Sequence, residues 1–134
     1  MPKYNVLVVD DEDEIREAIE IYLRNEDIKV LKAKDGLECL QILEEQDIHL
    51  IIMDIMMPRM DGWTARAELL KDPRTAEIPV IFLSARAQQA DLRKGYEAGV
   101  AAYITKPFEP VELLDLIEQI LEGSYTRPDY PPGF

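Results

Sequence analysis

Three acidic side chains and one lysine follow short apolar runs of the sequence, at the points where predicted strands end. Asp10 and Asp11 follow NVLVV, Asp54 follows LIIM, and Lys106 follows AYIT. The carboxyl ends of parallel strands meet at one edge of a sheet, and ligands bind in the crevice beyond that edge. We therefore expect the three carboxylates and the ammonium to share one crevice, which would suit a divalent cation and a phosphoryl group.

The oxygen chemistry of this set favours magnesium. Crowded carboxylates destabilise one another unless a cation neutralises them, and an all-oxygen set suits a hard ion such as Mg²⁺. Zinc is disfavoured because His49 is the only histidine and no cysteine lies nearby in the sequence. Asp10 and Asp11 also have a simpler interpretation, as acidic residues at the positive end of a helix dipole, and the two roles are compatible.

The elements that must position these side chains follow from the hydrophobic pattern. Short continuous apolar runs alternate five times with helical spacing, which predicts βα units around a parallel sheet. The predicted strands are residues 5–9, 29–33, 50–53, 80–83 and 102–105, and the middle three helices lie near 36–46, 63–71 and 88–98. The fourth helix has little apolar content and contains Gly95, so we expect it to be the least stable. Asp35-Gly36 and Asp61-Gly62 are interpreted as turns.

Length and charge restrict the class of protein. A chain of 134 residues suits one domain, and its net charge of −12 disfavours direct contact with nucleic acid or anionic lipid. No apolar run is long enough to span a membrane, and the first residues lack the layout of a signal peptide, so we expect a cytoplasmic protein. Cys39 lies in an apolar helical pattern and is interpreted as a small core residue.

The last residues differ from the rest in composition. After Gly123 the sequence SYTRPDYPPGF contains three prolines and no apolar period, which predicts a domain over residues 1–122 and a Pro-rich tail or linker stub over 123–134. An alternative is a tail that docks through its aromatic residues Tyr125, Tyr130 and Phe134. The composition favours the first interpretation.

Four segments carry a resemblance to a known family. LVVDDED, LIIMDIMMPRMDGW, IPVIFLSARA and GYEAGVAAYITKPF occur in this order within about residues 5–121. They resemble the receiver domains of two-component response regulators, CheY-like proteins. The resemblance implies an α/β fold with a doubly wound, five-stranded parallel sheet in the flavodoxin-like order 2-1-3-4-5, and five helices.

The same resemblance implies a role for individual residues. Asp54 would be the phospho-acceptor, Asp11 would bind Mg²⁺ directly, Asp10 would support it largely through water, and the backbone carbonyl of Met56 would be another ligand. Lys106 would pair with one phosphoryl oxygen. The remaining implied positions are Ser84 and Tyr103 as switch residues, Ala85, Arg86 and Pro107 as supporting residues, and a cis bond between Lys106 and Pro107.

The implied chemistry is Mg²⁺-dependent phosphoryl transfer from a phosphohistidine to Asp54, followed by slow autodephosphorylation at a rate influenced by Met56 and Arg86. The chain would catalyse its own modification without being a conventional enzyme. Its partners would be a sensor histidine kinase or phosphotransfer protein and a downstream protein target. The downstream target would recognise the face formed by the fourth helix, fifth strand and fifth helix. We expect a monomer or a weak, phosphorylation-dependent dimer, because Ala101 and Ala102 replace the acids of a common receiver dimer face.

Two alternatives belong to other functional classes. A haloacid-dehalogenase-like phosphatase also uses an aspartate at a strand end, and Asp11 with Asp13 imitates its D-x-D motif. In that case Asp11 would carry the phosphoryl group. The other alternative is a receiver-like interaction module that works without phosphorylation, although no residue that phosphorylation needs is missing.

Overall fold

Five βα units follow one another in the computed structural model, which describes residues 2–86 and 88–128. The strands are β1 (Tyr4–Val9), β2 (Ile28–Ala33), β3 (Leu50–Asp54), β4 (Val80–Ser84) and β5 (Ala102–Thr105). The helices are α1 (Asp13–Tyr22), α2 (Gly36–Glu45), α3 (Gly62–Lys71), α4 (Gln89–Glu97) and α5 (Pro110–Glu122). The predicted alternation is confirmed, and no strand boundary differs from its predicted position by more than one residue.

The strands form one parallel sheet in the order β2-β1-β3-β4-β5. This is the doubly wound, flavodoxin-like order that the resemblance implied. Strand β1 lies between β2 and β3, so the direction of winding reverses between β1 and β3. The crevice beyond the carboxyl ends of these two strands is therefore the expected ligand site.

Alternate side chains of each strand point to opposite faces of the sheet, and each face has its own core. Leu7 and Val9 of β1 belong to one core, which also contains residues of α2, α3 and α4. Val6 and Val8 belong to the other core, together with residues of α1 and α5. Both faces are covered, which explains why the strands are continuous apolar runs. Cys39 is buried in the first core as expected, and burial raises the pKa of its thiol to about 12.

Helix α4 has one buried residue, Gly95, and is anchored at its carboxyl end. The buried guanidinium of Arg66 donates from Nε to the carbonyl of Ala98 at 3.0 Å and from Nη2 to that of Gly99 at 3.1 Å. A cation there also opposes the negative end of the helix dipole. The ring of Tyr103 packs against Gly95, where a Cβ atom would lie 2.8 Å from Tyr103 Cδ2. Gly95, which the sequence predicts to weaken α4, thus permits the close approach of this helix to β5.

No helix within residues 2–86 and 88–128 has the length and apolar character needed to cross a bilayer.

Candidate functional site

The acidic residues that follow β1 and β3 converge at the carboxyl edge of the sheet. Carboxylate oxygens of Asp10, Asp11, Glu12 and Asp54 all lie within 4.8 Å of one another. Asp10 and Asp54 are buried, with 0% and 5% of their surface exposed, whereas Asp11 and Glu12 are exposed. The adjacent pairing of β1 with β3 brings the two buried acids together, and the exposed pair opens the cluster to solvent.

Lys106 supplies the positive charge of the cluster. Its Nζ atom lies 2.8 Å from Asp10 Oδ2, 3.4 Å from Asp54 Oδ2 and 3.6 Å from Glu12 Oε1. The lysine follows β5 directly, and its backbone amide donates to the carbonyl of Ser84 at 2.8 Å. One ammonium therefore faces several carboxylates, and the described cluster retains an excess of negative charge.

The burial of the cluster and its excess of negative charge shift the pKa values of Asp10, Asp54 and Lys106, which are all raised. Burial, reinforced by the charge of Asp10, raises the pKa of Asp54 from 3.8 to about 6 despite the opposing effect of Lys106. Burial also raises the pKa of Asp10, against its hydrogen bonds with Lys106 and the Glu12 amide. Burial alone would lower the pKa of Lys106, but its contacts with Asp10 and Asp54 outweigh burial and raise it. A cation that joined this cluster would relieve the cost of ionising both acids.

Glu12 is the member of the cluster that the sequence analysis missed. It occupies the N-cap position of α1 without a side-chain capping hydrogen bond, so its carboxylate can face Lys106. Its place in the acidic run DDED was the available signal, but that run also contains Asp13, which lies outside the cluster and pairs with Arg16. Asp13 therefore gives no support to a D-x-D motif with Asp11.

The loop between β3 and α3 is held in place at two positions, Arg59 and Gly62. Arg59 has a φ of 65°, an uncommon conformation for a residue with a side chain. Its Nε atom donates to the buried carboxylate of Asp35 at 2.6 Å, and Asp35 also caps α2 by accepting from the Glu38 amide at 3.0 Å. At the other end of the loop, a Cβ atom on Gly62 would lie 2.8 Å from the carbonyl oxygen of Asp54. The loop can pass close to Asp54 because glycine occupies that position.

The other predicted site residues lie at or just after the carboxyl ends of β3, β4 and β5, and they differ in exposure. The backbone amide of Met56 lies 3.4 Å from Asp54 Oδ1, and the Met56 side chain is exposed. Ser84, the last residue of β4, is buried, and its hydroxyl accepts from the Arg86 amide at 3.1 Å. The Lys106-Pro107 bond is cis, as the resemblance implied, and Ala85, Arg86 and Pro107 are exposed.

Tyr103 is buried beneath α4. Its hydroxyl donates to the carbonyl of Arg86 at 2.7 Å, and its ring contacts Phe82 edge to face at 6.4 Å between centroids. Phe82 makes a similar contact with Trp63 at 5.0 Å. An aromatic series thus connects α3 with the loop that follows Ser84.

Comparison with protein families matches residues 6–118 to the response regulator receiver domain. Among individual proteins, the response regulator Rre1 of Synechocystis sp. is 37% identical over 93% of this chain and 54% of its own length. A probable transcriptional regulator, ycf29 of Porphyra purpurea, is 39% identical over 88% of this chain and 56% of its own length. The chain spans about half the length of these relatives.

Solved structures give the same result for the fold. The receiver domain of the Francisella response regulator 1452 superposes with a TM-score of 0.83 and 30% identity, covering 91% of this chain and 99% of that domain. The receiver domain of the sensor histidine kinase PA1611 from Pseudomonas aeruginosa, solved with magnesium coordinated in its active-site cleft, gives a TM-score of 0.80 and 29% identity. That match covers 89% of this chain and 98% of the PA1611 domain.

Proposed function

Because the chain belongs to the response regulator receiver domain family, we propose that Asp54 accepts a phosphoryl group from a phosphohistidine in a Mg²⁺-dependent reaction. The observation that carries the proposal is the convergence of the Asp10, Asp11 and Asp54 carboxylates on one crevice together with Lys106. The donor is a sensor histidine kinase or phosphotransfer protein, and a downstream protein reads the phosphorylated form.

The residues of the crevice fit magnesium. Their donor atoms are all oxygen, and the described cluster contains neither histidine nor cysteine. We assign the ion to Asp10, Asp11, Asp54 and the carbonyl of Met56, with Asp10 acting largely through water. When bound, Mg²⁺ would act as a Lewis acid and neutralise charge on the phosphoryl oxygens.

The chain's own residues perform the transfer by alignment and electrostatics. One carboxylate oxygen of Asp54 forms the new bond to phosphorus while the bond from phosphorus to the donor imidazole nitrogen breaks, and the imidazole keeps the electron pair. Lys106 turns from the carboxylates toward a phosphoryl oxygen, where its charge stabilises the transition state.

The buried position of Asp54 limits the access of water to the resulting acyl phosphate. We infer that the exposed side chains of Met56 and Arg86 influence the rate of hydrolysis.

Phosphorylation alters the surface of α4, β5 and α5 through Ser84 and Tyr103. The Ser84 hydroxyl, which accepts from the Arg86 amide, would donate its own proton to a phosphoryl oxygen. Tyr103 already occupies the buried position with its hydroxyl on the carbonyl of Arg86. We infer that the phosphoryl group acts by favouring this buried rotamer over an outward one, as a shift between two populations.

The receiver assignment also leads to proposals about the domain bounds, the location and the partners of the chain. We propose that residues 1–122 form the receiver, that residues 123–134 are a tail or linker stub beyond α5, and that the protein acts in the cytoplasm. The net charge of −12 opposes direct contact of this chain with nucleic acid, and Ala101 and Ala102 disfavour the common acidic dimer face. We propose a monomer, or a weak dimer that forms on phosphorylation.

Incubation of the wild-type chain with acetyl phosphate tests the proposed chemistry. We expect intact-mass spectrometry to detect one added phosphoryl group that hydroxylamine removes, and we expect no addition when EDTA replaces Mg²⁺. Trp63 fluorescence should change on addition of Mg²⁺, since Trp63 follows Gly62, which packs against the backbone of Asp54 and donates its amide to the Ile55 carbonyl at 2.8 Å. Absence of both the fluorescence response and the acyl phosphate would instead identify an interaction module that works without phosphorylation.

The affinity for Mg²⁺ should depend on pH below the pKa of Asp54. Because that pKa is about 6, a proton competes with the ion for the carboxylate in acidic solution. We expect the dissociation constant for Mg²⁺ to increase about tenfold for each pH unit below 6, and to vary little between pH 7 and 8. Titrations followed by Trp63 fluorescence at several pH values measure this dependence. An affinity that is the same at pH 5 and pH 7 would contradict the assignment of Asp54 as a ligand.

A further inference from the structure

The chain turns back over the domain after α5. Gly123 ends the helix with a φ of 79°, a left-handed conformation that glycine adopts without strain. The amides of Ser124 and Tyr125 both donate to the carbonyl of Gln119, at 2.9 and 3.2 Å. These contacts are typical of a helix end that reverses the chain, and they direct the following residues toward α4 and β5.

The segment Tyr125–Pro128 contacts that surface through alternate side chains. The Tyr125 hydroxyl donates to the carbonyl of Ala101 at 2.8 Å. The Arg127 guanidinium lies 3.5 Å from the centroid of the Tyr96 ring and also donates to the Tyr96 carbonyl. Tyr125 and Arg127 are half-buried, whereas Thr126 and Pro128 are exposed. This alternation is that of an extended segment lying with one side on a groove.

The groove offers chemistry that suits these two side chains. Its acceptors are backbone carbonyls at the end of α4 and just before β5, where the helix dipole favours a cation. The Tyr96 ring supplies a face for a guanidinium. Burial raises the pKa of the Tyr125 phenol, against the charge of Arg127, which agrees with a hydroxyl withdrawn from water. The groove therefore fits a short extended segment with a tyrosine and, two residues later, an arginine.

The same groove contains the switch tyrosine. A cavity of about 80 Å³ between the segment and the domain is lined by Tyr103 as well as Leu92, Tyr96, Tyr125 and Arg127. Gly95 contacts the Tyr103 ring from α4, and Tyr125 and Arg127 cover the groove from outside. An outward rotation of Tyr103 would enter the volume beneath the segment.

We propose that Tyr125–Pro128 is a ligand that the chain supplies to its own groove between α4 and β5, and that its docking holds Tyr103 in the buried position. The assignment of Tyr103 as a switch rests on the proposed function, whereas the docking itself does not. A downstream partner that uses this groove has to displace the segment.

Backbone relaxation of the whole chain tests the docking without Mg²⁺ or a phosphoryl donor. In the wild type we expect ¹⁵N order parameters for Tyr125 and Arg127 close to the value of about 0.85 for rigid backbone. The double variant Tyr125→Phe, Arg127→Ala should fall below about 0.6, the range of flexible segments. Thr126→Ala is the matched control, because this exposed residue lies between the two contacts, and it should behave as the wild type. Order parameters below about 0.6 in the wild type would overturn the proposal.

Affinity for beryllofluoride, a phosphoryl mimic, tests the effect on Tyr103. A segment that favours the buried rotamer also favours the mimic, since coupling between sites is reciprocal. With Mg²⁺ present, we expect the double variant to bind beryllofluoride about fivefold more weakly than the wild type and Thr126→Ala. Equal affinities in all three proteins would refute the hold on Tyr103. Failure of the wild type to bind the mimic would count against the proposed phosphorylation, while the order parameters would still decide the docking.

Discussion

Replacing Asp54 with Asn should abolish acyl-phosphate formation and, in the metal-free protein, should stabilise the fold at pH 8. The proposed acceptor carboxylate is lost, and two of the three other acids in the described cluster, Asp11 and Glu12, are exposed rather than buried in the crevice. Asp10, the other buried acid, already accepts hydrogen bonds from Lys106 Nζ at 2.8 Å and from the Glu12 amide at 2.9 Å. We therefore expect no other carboxylate of the cluster to accept the phosphoryl group.

The expected gain in stability follows from the raised pKa of Asp54. A carboxyl group whose pKa is about 6 in the folded state and 3.8 in the unfolded state binds its proton more tightly when folded. Its contribution to the free energy of unfolding is fully present below about pH 4 and is lost as the pH rises through 6. The difference of about 2 pKa units corresponds to about 3 kcal/mol. Asn cannot ionise, so Asp54→Asn avoids that loss.

Urea unfolding in the presence of EDTA measures this difference. We expect Asp54→Asn to exceed the wild type by up to about 3 kcal/mol at pH 8, and we expect the difference to shrink toward pH 4. Asp11→Asn is a suitable control, because Asp11 belongs to the same cluster but is exposed, and its effect on stability should stay within about 0.5 kcal/mol. An acyl phosphate on the Asp54→Asn protein would show that another residue is the acceptor.

The apolar pattern was sufficient to predict a parallel sheet and the position of the crevice, whereas the strand order came from the resemblance to receiver domains. Continuous apolar runs such as 50–53 arise because both faces of a parallel sheet are covered, so the pattern itself carries the topology class. The carboxyl ends of parallel strands share an edge, and this brought Asp10 near Asp54 without any knowledge of side-chain conformations. Predictions of this kind succeed because they depend on the backbone alone.

Contacts between side chains of distant elements could not be predicted in the same way. Asp35-Gly36 and Asp61-Gly62 were interpreted as turns, but both aspartates cap helices, and Asp35 also pairs with Arg59 from another loop. An Asp-Gly pair occurs both in turns and at the start of helices, so the pair alone does not distinguish these two structures. Only the tertiary arrangement determines that Arg59 reaches Asp35.

Gly95 and Tyr125 illustrate the same limit on opposite sides of one groove. The sequence indicated that Gly95 weakens α4, but its contact with Tyr103 depends on how closely α4 approaches β5. The lower stability of α4 remains a prediction. The composition after Gly123 favoured a tail without packed structure, and its described part has no helix or strand, yet Tyr125 reaches Ala101. Tyr130 and Phe134, the other aromatic residues of the docking alternative, lie outside the described residues.

Lys106→Met should change phosphorylation and Mg²⁺ binding in opposite directions. Methionine keeps much of the length of lysine but lacks the charge. The loss of a preorganised group that stabilises developing charge lowers a rate by about 10²–10³-fold, and we expect this decrease in the phosphorylation of Asp54 by acetyl phosphate. Mg²⁺ should bind more tightly, because Nζ no longer neutralises Asp10 and Asp54 at 2.8 and 3.4 Å.

A rate measurement and a separate Mg²⁺ titration distinguish the effect on phosphoryl transfer from the effect on metal affinity. The rate of acyl-phosphate formation is measured at saturating Mg²⁺, so that a change in metal affinity cannot alter it, and the affinity is measured by Trp63 fluorescence without a phosphoryl donor. Lys34→Met is the matched control, since Lys34 is 61% exposed and pairs with Glu38 outside the cluster, and it should leave both quantities unchanged. Weaker Mg²⁺ binding by Lys106→Met would mean that the lysine supports the arrangement of the carboxylates. Tighter binding with slow transfer would identify its ammonium as the counter-charge that Asp10 and Asp54 share until a phosphoryl oxygen replaces them.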